Sequence, residues 1–338
     1  MAVDSLLITI LNMSLMGTYV IVVVCLARLL LKKSPKAISY CLWTIAGIRL
    51  VLPLSIDSML SLVPFSAQPI ETDIIAPAIY NAVSFEVSPG LASNLIMISG
   101  FIWFTGAAVM FGYGIVSYIS LKRKLKKSTH KHGNIFEGIH IKSPYVLGFL
   151  SPKIYLPLGL SDDERKYVIL HEQIHIRRYD HFVKFIAYFI LSLHWFNPLV
   201  WLAFKLMCRD MEMSCDEYVL KEIDVAQTRE KYSMALVALA MEKRFVTAYP
   251  LAFGESSIKA RVNNVLNFKK YSKLTSAAAI ILAVVLSVGL MTNATGMSIT
   301  ENSHEESIWP IYPTFSCCDA YIHSWHSYAM STVFTDYR

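Results

Sequence analysis

Four long apolar runs alternate with polar segments along the chain. They cover residues 6–31, 37–54, 95–119 and 274–292. The only charged side chains within them are those of Arg28 and Arg49. A helix needs about 20 apolar residues to cross the hydrocarbon core of a bilayer. The pattern therefore predicts four transmembrane helices, of which the second is the shortest.

Composition agrees with a membrane protein that also has a polar portion. Of the 338 residues, 54% are hydrophobic and only 17% are charged. An ordinary soluble domain has about 25% charged residues and roughly 45–50% apolar ones. This balance excludes a disordered chain, a basic nucleic-acid-binding domain and a simple cytosolic enzyme.

The basic residues indicate which side of the membrane each loop occupies. Lysine and arginine cluster at 32–36, 122–127 and 269–273, whereas 55–94 contains acidic residues and no basic one. Loops retained in the cytoplasm are enriched in lysine and arginine. We therefore predict an extracellular N-terminus, an extracellular loop at 55–94, a cytoplasmic segment at 121–273 and an extracellular tail. The cluster at 122–127 lacks interleaved aromatic residues, so direct binding of nucleic acid is not expected.

The cytoplasmic segment contains a helix start followed by a metal-binding pattern. Ser161 and Glu164 have the spacing of a capping box, which predicts a helix that begins at the next residue after the serine. That helix carries the sequence HEQIH, so His171 and His175 lie one turn apart and can reach the same ion. Glu172 lies beside the water that such an ion holds, and we predict it to be the general base.

A catalytic zinc ion needs a third protein ligand and an open position for water. The downstream candidates are His181, His194, Glu212, Cys215, Asp216 and Glu217. Glu212 and Asp216 are four residues apart, so one turn of helix presents both carboxylates on one face. We predict that Glu212 ligates the metal while Asp216 orients a histidine through its ring N–H, although the spacing also permits the reverse assignment.

Between these motifs lies an uncharged stretch, residues 185–204, that hydropathy alone would identify as a span. A full crossing would separate His175 and Glu212 by the membrane, and they could not then share one ion. Asn197 and Pro198 stand in the middle of the stretch, and proline disfavours one continuous helix. We therefore predict a helical hairpin that dips into the membrane or packs on the bundle, with a soluble apolar hairpin as the alternative.

Four motifs in this order resemble the BlaR/MecR family of antibiotic-sensing membrane metallopeptidases. They read GFLSPKIYLP at 148–157, HEQIHIRRYDH at 171–181, HWFNPLVW at 194–201 and EMSCD at 212–216. The resemblance implies a gluzincin-like zinc endopeptidase that faces the cytoplasm. It implies His171, His175 and Glu212 as the zinc ligands and Glu172 as the general base.

The resemblance also implies roles for residues around the ligands. Asp216 and Asp180 would orient the ligating histidines. The strand residues Ile154, Tyr155 and Leu156 would form the edge on which an extended substrate lies, a form of strand addition.

One departure from the family pattern concerns the sensor. Signal-transducing members carry an extracellular penicillin-binding domain after the last span, whereas residues 293–338 are short and contain no lysine, so that domain is not expected here. The leading hypothesis is a regulatory protease that cleaves a cytosolic protein, by resemblance a BlaI/MecI-type transcriptional repressor, with self-cleavage within 259–273 as a further option. The alternatives are a non-catalytic receptor or scaffold with a structural metal site, and a housekeeping protease of the CAAX-prenyl-protease type.

Together these inferences predict a mainly α-helical membrane protein. Four transmembrane helices accompany a cytoplasmic gluzincin-like zinc metalloprotease domain with a small β-sheet and a membrane-associated helical hairpin. The predicted segments are 1–54 for two spans, 55–94 for the loop, 95–120 for the third span, 121–273 for the protease domain, 274–292 for the fourth span and 293–338 for the tail. The expected cofactor is zinc, and the expected partners are a cytosolic protein substrate and membrane lipid, with a homodimer left open.

Overall fold

The computed structural model of the chain describes residues 2–52, 57–58, 62, 89–141, 143–223, 226–242, 258–268 and 271–294. The helices in these ranges are α1 (Ala2–Leu30), α2 (Lys36–Val51), α3 (Pro89–Leu125), α4 (Asp162–Arg177), α5 (Asp180–Leu193), α6 (Pro198–Glu222), α7 (Ala226–Glu242), α8 (Ile258–Leu266) and α9 (Lys273–Met291). The strands are β1 (Asp57–Ser58), β2 (Thr129–His132), β3 (Ile135–Gly138), β4 (Tyr145–Leu147), β5 (Lys153–Pro157) and β6 (Asn293–Ala294). Most of the predicted loop and nearly all of the predicted tail lie outside the described residues.

Three helices of the described residues are long and apolar enough to cross a membrane. Their candidate spans are Leu6–Lys33, which comprises most of α1 and the 3₁₀ turn that follows it, Asn94–Leu125 in α3 and Lys273–Met291 in α9. Helix α2 has 16 residues, which makes it about 24 Å long at 1.5 Å per residue. A hydrocarbon core is about 30 Å thick. The chain is therefore a mainly helical membrane protein with three candidate spans, and the fourth span at 37–54 stays a prediction.

Helices α1 and α2 pack side by side and share an apolar core with α6. Members of this core include Val20, Ile21, Leu42, Ile45, Val200 and Ala203. The buried side chain of Arg49 in α2 reaches the end of α9, where it donates to the carbonyl oxygens of Leu290 at 2.9 Å and Thr292 at 3.0 Å. The last carbonyl groups of a helix have no partner within it. Arg49 therefore closes the end of α9 and joins that helix to α2.

Helices α5 and α6 are joined by a short turn at residues 194–197, where the Asn197-Pro198 pair predicts a reversal. Asn197 caps α6, since its side-chain oxygen accepts from the backbone N–H of Leu199 at 2.9 Å. Its amide nitrogen also donates to the hydroxyls of Ser14 at 2.8 Å and Thr18 at 2.7 Å, both in α1. The tip of the hairpin therefore lies beside a candidate span, well away from the ends of α1.

The same tip is attached to α3, a second candidate span. Trp103 of α3 donates its indole N–H to the carbonyl oxygen of Leu193 at 2.9 Å, and Trp195 donates to the carbonyl oxygen of Trp103 at 3.2 Å. The ring of Trp195 lies directly against the backbone at Gly106, which has no side chain to block it. These contacts bury the irregular backbone of the turn against protein, the condition under which such backbone is tolerated at membrane depth.

A four-stranded sheet precedes α4, with strand order β2-β3-β5-β4. Strand β5 pairs with β3 in parallel and with β4 in antiparallel orientation. Val168 of α4 packs on the buried side chains of Ile154 and Leu156, which anchors the helix to the sheet. Because β5 lies between two strands, the prediction that Ile154, Tyr155 and Leu156 form the substrate edge is wrong. The edges of the described sheet are β2 and β4.

Substitution of Gly106 by alanine tests the attachment of the hairpin tip to α3. The new methyl group would overlap the indole ring of Trp195, and overpacking of this kind costs about 1–3 kcal/mol. We expect Gly106→Ala to lower the unfolding temperature of the detergent-solubilised protein. The matched control is Gly112→Ala in the same helix, where an added Cβ meets no atom within 4 Å. Equal unfolding temperatures for the two variants would contradict the packing described here.

Candidate metal centre

The start of α4 fixes where its two histidines lie. Ser161 accepts from the backbone N–H of Glu164, and the Glu164 carboxylate accepts from the backbone N–H of Ser161 at 2.9 Å. This capping box begins the helix at Asp162, as the sequence predicts. One face of α4 then buries His171 and His175, which are 7% and 8% exposed.

Each histidine has one ring nitrogen held by an acceptor. His175 Nδ1 lies 2.7 Å from a carboxylate oxygen of Asp180. His171 Nδ1 lies 2.9 Å from the hydroxyl of Tyr232, and that hydroxyl donates to Asp216 at 2.7 Å. A carboxylate only accepts, and the tyrosine proton is already given to Asp216, so both Nδ1 atoms act as donors. In the neutral ring each Nε2 atom then carries the lone pair, the form of histidine that binds a metal.

The two Nε2 atoms point at the same place, and the guanidinium group of Arg261 reaches it too, 3.4 Å from His171 Nε2. His171 Nε2 and His175 Nε2 are 3.0 Å apart. Two lone pairs this close repel each other unless a proton or a cation lies between them. The Glu212 carboxylate faces the same point, with one oxygen 3.5 Å from His171 Nε2 and the other 3.7 Å from His175 Nε2. Donors about 2.0–2.2 Å from one tetrahedral zinc ion are roughly 3.3–3.5 Å from one another. The observed separations of 3.0, 3.5 and 3.7 Å lie on both sides of that range, and each histidine faces a different oxygen of Glu212. Small shifts would bring the three side chains onto one ion.

Cys215 lies near the same histidines and offers a second donor set. Its sulfur and the ring nitrogens of His171 and His175 all lie within 4.8 Å of one another, and all three residues are buried. The Cys215 thiol also lies 3.5 Å from the carbonyl oxygen of His171, to which it donates. Zinc sites use both His/His/Glu and Cys-containing sets. The described residues therefore contain a buried candidate metal centre with two histidines and a choice between Glu212 and Cys215.

Electrostatics around the histidines favour a cation. Burial disfavours the imidazolium form of His171, but negative charge on the Cys215 sulfur and hydrogen bonds to Cys215 and Glu212 outweigh it and raise the pKa of His171 to about 9. Burial likewise opposes ionisation of Glu212, but Lys184, His175 and Arg261 hold the pKa of its carboxyl well below the usual value. Glu212 is therefore ionised, and in this structure its charge is balanced by Lys184 and Arg261.

Glu172, the predicted general base, sits between the two histidines in sequence and is half-buried. No hydrogen bond or ion pair joins its carboxylate to any residue that the structure describes. Such a carboxylate is free to accept a proton from a water molecule next to the candidate metal centre.

The other candidate ligands lie elsewhere. Glu217 accepts from the backbone N–H of Lys36 at 3.0 Å and so caps the start of α2. His194 is buried in the hairpin turn, with Nδ1 3.1 Å from the carbonyl oxygen of Ile190. His181 lies beside the ring of Tyr179 at the start of α5. None of the three belongs to the cluster of described residues around His171.

Sequence reasoning did not find three residues that contact this cluster. Tyr232 of α7 bridges His171 and Asp216, as described above. Arg261 of α8 donates to both oxygens of Asp216, at 2.8 and 2.6 Å, and lies 3.1 Å from Glu212. Lys184 of α5 lies 3.2 Å from the other oxygen of Glu212. These residues belong to no motif, and they join the site through contacts between helices that are distant in sequence.

Comparisons with known proteins identify the family of the chain. A family model described as BlaR1 peptidase M56 matches residues 8–265. The chain is 27% identical to the regulatory protein BlaR1 of Bacillus licheniformis over 269 residues, which cover 71% of this chain and 44% of that protein. It is 26% identical to the methicillin resistance mecR1 protein of Staphylococcus aureus over 207 residues, which cover 57% of this chain and 35% of that protein. The chain thus spans less than half the length of these relatives. Since the family model matches most of the chain, including the histidine pair and Glu212, the chain belongs to the BlaR1 peptidase M56 family.

Proposed function

We propose that the chain is a membrane-embedded zinc endopeptidase that cleaves a cytosolic protein. The observation that carries this proposal is the convergence of the two histidine Nε2 atoms and the Glu212 carboxylate. Glu172 follows His171 directly in sequence and has no bonded partner among the described residues. Zinc held by His171, His175 and Glu212 would act as a Lewis acid, polarising the scissile carbonyl and lowering the pKa of the attacking water. Membership of a peptidase family supports the same conclusion.

The residues of the chain would divide the remaining work. Glu172 takes a proton from the attacking water and passes it to the leaving amine. Asp180 keeps the Nδ1 proton on His175, while Tyr232 and Asp216 together keep it on His171. Because these acceptors hold the Nδ1 side of each ring, the two rings need not rotate when the metal binds and displaces a proton from Nε2.

Strand β4 replaces β5 as the candidate substrate edge. Within the described residues β4 pairs only with β5, so its other side offers unpaired backbone groups. Val146 of β4 belongs to the apolar cluster that joins the sheet to α4, which keeps this edge close to the helix of the histidines. An extended substrate that pairs with β4 would gain main-chain hydrogen bonds while its scissile bond approached α4.

The substrate class follows from the charge pattern and from the relatives. The basic segments support a cytoplasmic position for the site, and the relatives are named as a regulatory protein and a methicillin resistance protein. We therefore propose a transcriptional repressor of the BlaI/MecI type as substrate, membrane lipid as the surrounding partner, and no direct contact with nucleic acid. Self-cleavage within 259–273 would require α8 to unwind first, because Arg261 of that helix is bonded to Asp216.

The second candidate function is a receptor or scaffold with a structural metal site. The observation that favours it is Cys215, because structural zinc sites are closed and rich in cysteine. In that case Glu172 would have no chemical task. The ligand set and the role of Glu172 therefore separate the two functions.

Removal of the Glu172 carboxylate tests catalysis directly. We expect Glu172→Ala to lower cleavage of a purified repressor by at least about 100-fold, because the general base is lost. Its zinc content, measured by atomic absorption, should equal that of the wild type. Glu222→Ala is the control, since Glu222 forms only a surface ion pair with Arg177. Unchanged cleavage by Glu172→Ala would disprove the proposed mechanism.

Paired substitutions of Glu212 and Cys215 decide the donor set. If Glu212 ligates zinc, Glu212→Gln should weaken zinc binding by more than the roughly 10–100-fold expected for residues behind the ligands. Cys215→Ser keeps a donor for the His171 carbonyl and should bind zinc as the wild type does. Cobalt substitution gives an independent readout, because a thiolate ligand adds a charge-transfer band in the near ultraviolet. If the wild type shows this charge-transfer band and Cys215→Ser does not, Cys215 ligates the metal, and the structural site is favoured over the catalytic one.

A further inference from the structure

Helix α2 sends one side chain into the group of residues behind the candidate metal centre. The hydroxyl of Tyr40 donates to Asp180 Oδ1 at 3.1 Å. The other oxygen of Asp180 holds His175 Nδ1 at 2.7 Å. Asp180 is only 1% exposed, so water cannot readily take the place of Tyr40. A continuous path of hydrogen bonds therefore runs from α2 through Asp180 to the His175 ring.

Arg178 completes the surroundings of Asp180. Its guanidinium group lies over the ring of Tyr40, 5.1 Å from the ring centre, and its Nε atom is 3.5 Å from Asp180 Oδ2. The same guanidinium lies 5.4 Å from the ring centre of Tyr218. Asp180 Oδ2 is thus shared by His175 and Arg178, and Tyr40 is the hydroxyl that reaches Oδ1 among the described residues.

Helix α2 is itself held on α6, the helix that carries Glu212. The Trp43 indole N–H donates to Asp210 at 2.8 Å, and Asp210 also forms an ion pair with Arg28 of α1. At the start of α2, the backbone N–H of Lys36 is capped by Glu217 of α6. Helix α2 therefore contacts both Asp180 and α6, and it holds the two in a fixed position relative to each other.

We infer that Tyr40 is a positioning residue of the candidate metal centre and that α2 is part of that centre. Tyr40 sets the orientation of Asp180, and Asp180 sets the orientation of the His175 ring. The contacts of α2 with α6 keep these residues at a fixed distance from Glu212. The inference rests on the proposed function. It implies that a displacement of the α1–α2 pair changes the affinity of the site for its metal, because α2 reaches the site through the Tyr40 hydroxyl as well as through its contacts with α6.

The test is metal binding by Tyr40→Phe in the full chain. The variant keeps the ring under Arg178 and removes only the hydroxyl. The full chain in detergent is titrated with Co²⁺, the visible spectrum reports the geometry of the site, and zinc affinity is measured by competition. We expect Tyr40→Phe to weaken zinc binding by roughly 5- to 10-fold, the equivalent of one hydrogen bond, and to shift the cobalt bands. Tyr218→Phe is the matched control, because it makes the same chemical change under the same arginine, and it should match the wild type.

A double-mutant cycle shows whether Tyr40 acts through Asp180. Asp180→Asn alone should weaken zinc binding more than Tyr40→Phe does, and the double variant should be no weaker than Asp180→Asn, since two residues on one path are not additive. Two outcomes would overturn the inference alone, provided that the wild type binds metal. In the first, Tyr40→Phe and Tyr218→Phe bind zinc with the same affinity. In the second, the loss of zinc affinity in the double variant is the sum of the losses in Tyr40→Phe and Asp180→Asn. A wild type that binds neither cobalt nor zinc would overturn the proposed function and the inference with it.

Discussion

The reversal of the chain at residues 194–197 is the constraint on which the candidate metal centre depends. The histidine pair lies before this turn, and Glu212 lies after it, with an apolar stretch of membrane-spanning length between them. The ligands can meet only if that stretch returns to the side from which it came. Asn197 makes the return stable, because its side chain caps α6 and also bonds to two hydroxyls of α1.

Local sequence was sufficient to predict the elements whose chemistry is local. The capping box at Ser161 and the HEQIH pattern depend on residues three or four apart, so the start of α4 and the common face of His171 and His175 follow from helix geometry. The hairpin followed from a global argument, since a shared ion forbids a crossing. The nearness of Glu212 to the histidines agrees with that argument, although its role as a ligand stays a prediction.

The features that sequence did not reveal depend on contacts between distant elements. Tyr232, Arg261 and Tyr40 belong to three different helices, and no spacing relates them to the histidines. The alternation of apolar and polar side chains also does not reveal strand order. Ile154 and Leu156 indicate a buried strand, but they do not indicate which strands lie on either side of it. Hydropathy also does not show where α2 ends, because the apolar run continues past Val51, whereas Leu52 precedes a proline in sequence and is extended.

The hairpin also limits how the lengths of its two arms can vary among related chains. Each residue inserted into a helix advances every later side chain by 1.5 Å and rotates it by about 100°. One extra residue between Pro198 and Glu212 would therefore turn the carboxylate away from the histidines, whereas extra residues in the turns between β-strands would leave the donors where they are. Evolutionary insertions and deletions should accordingly be common around the sheet and rare in this arm of the hairpin.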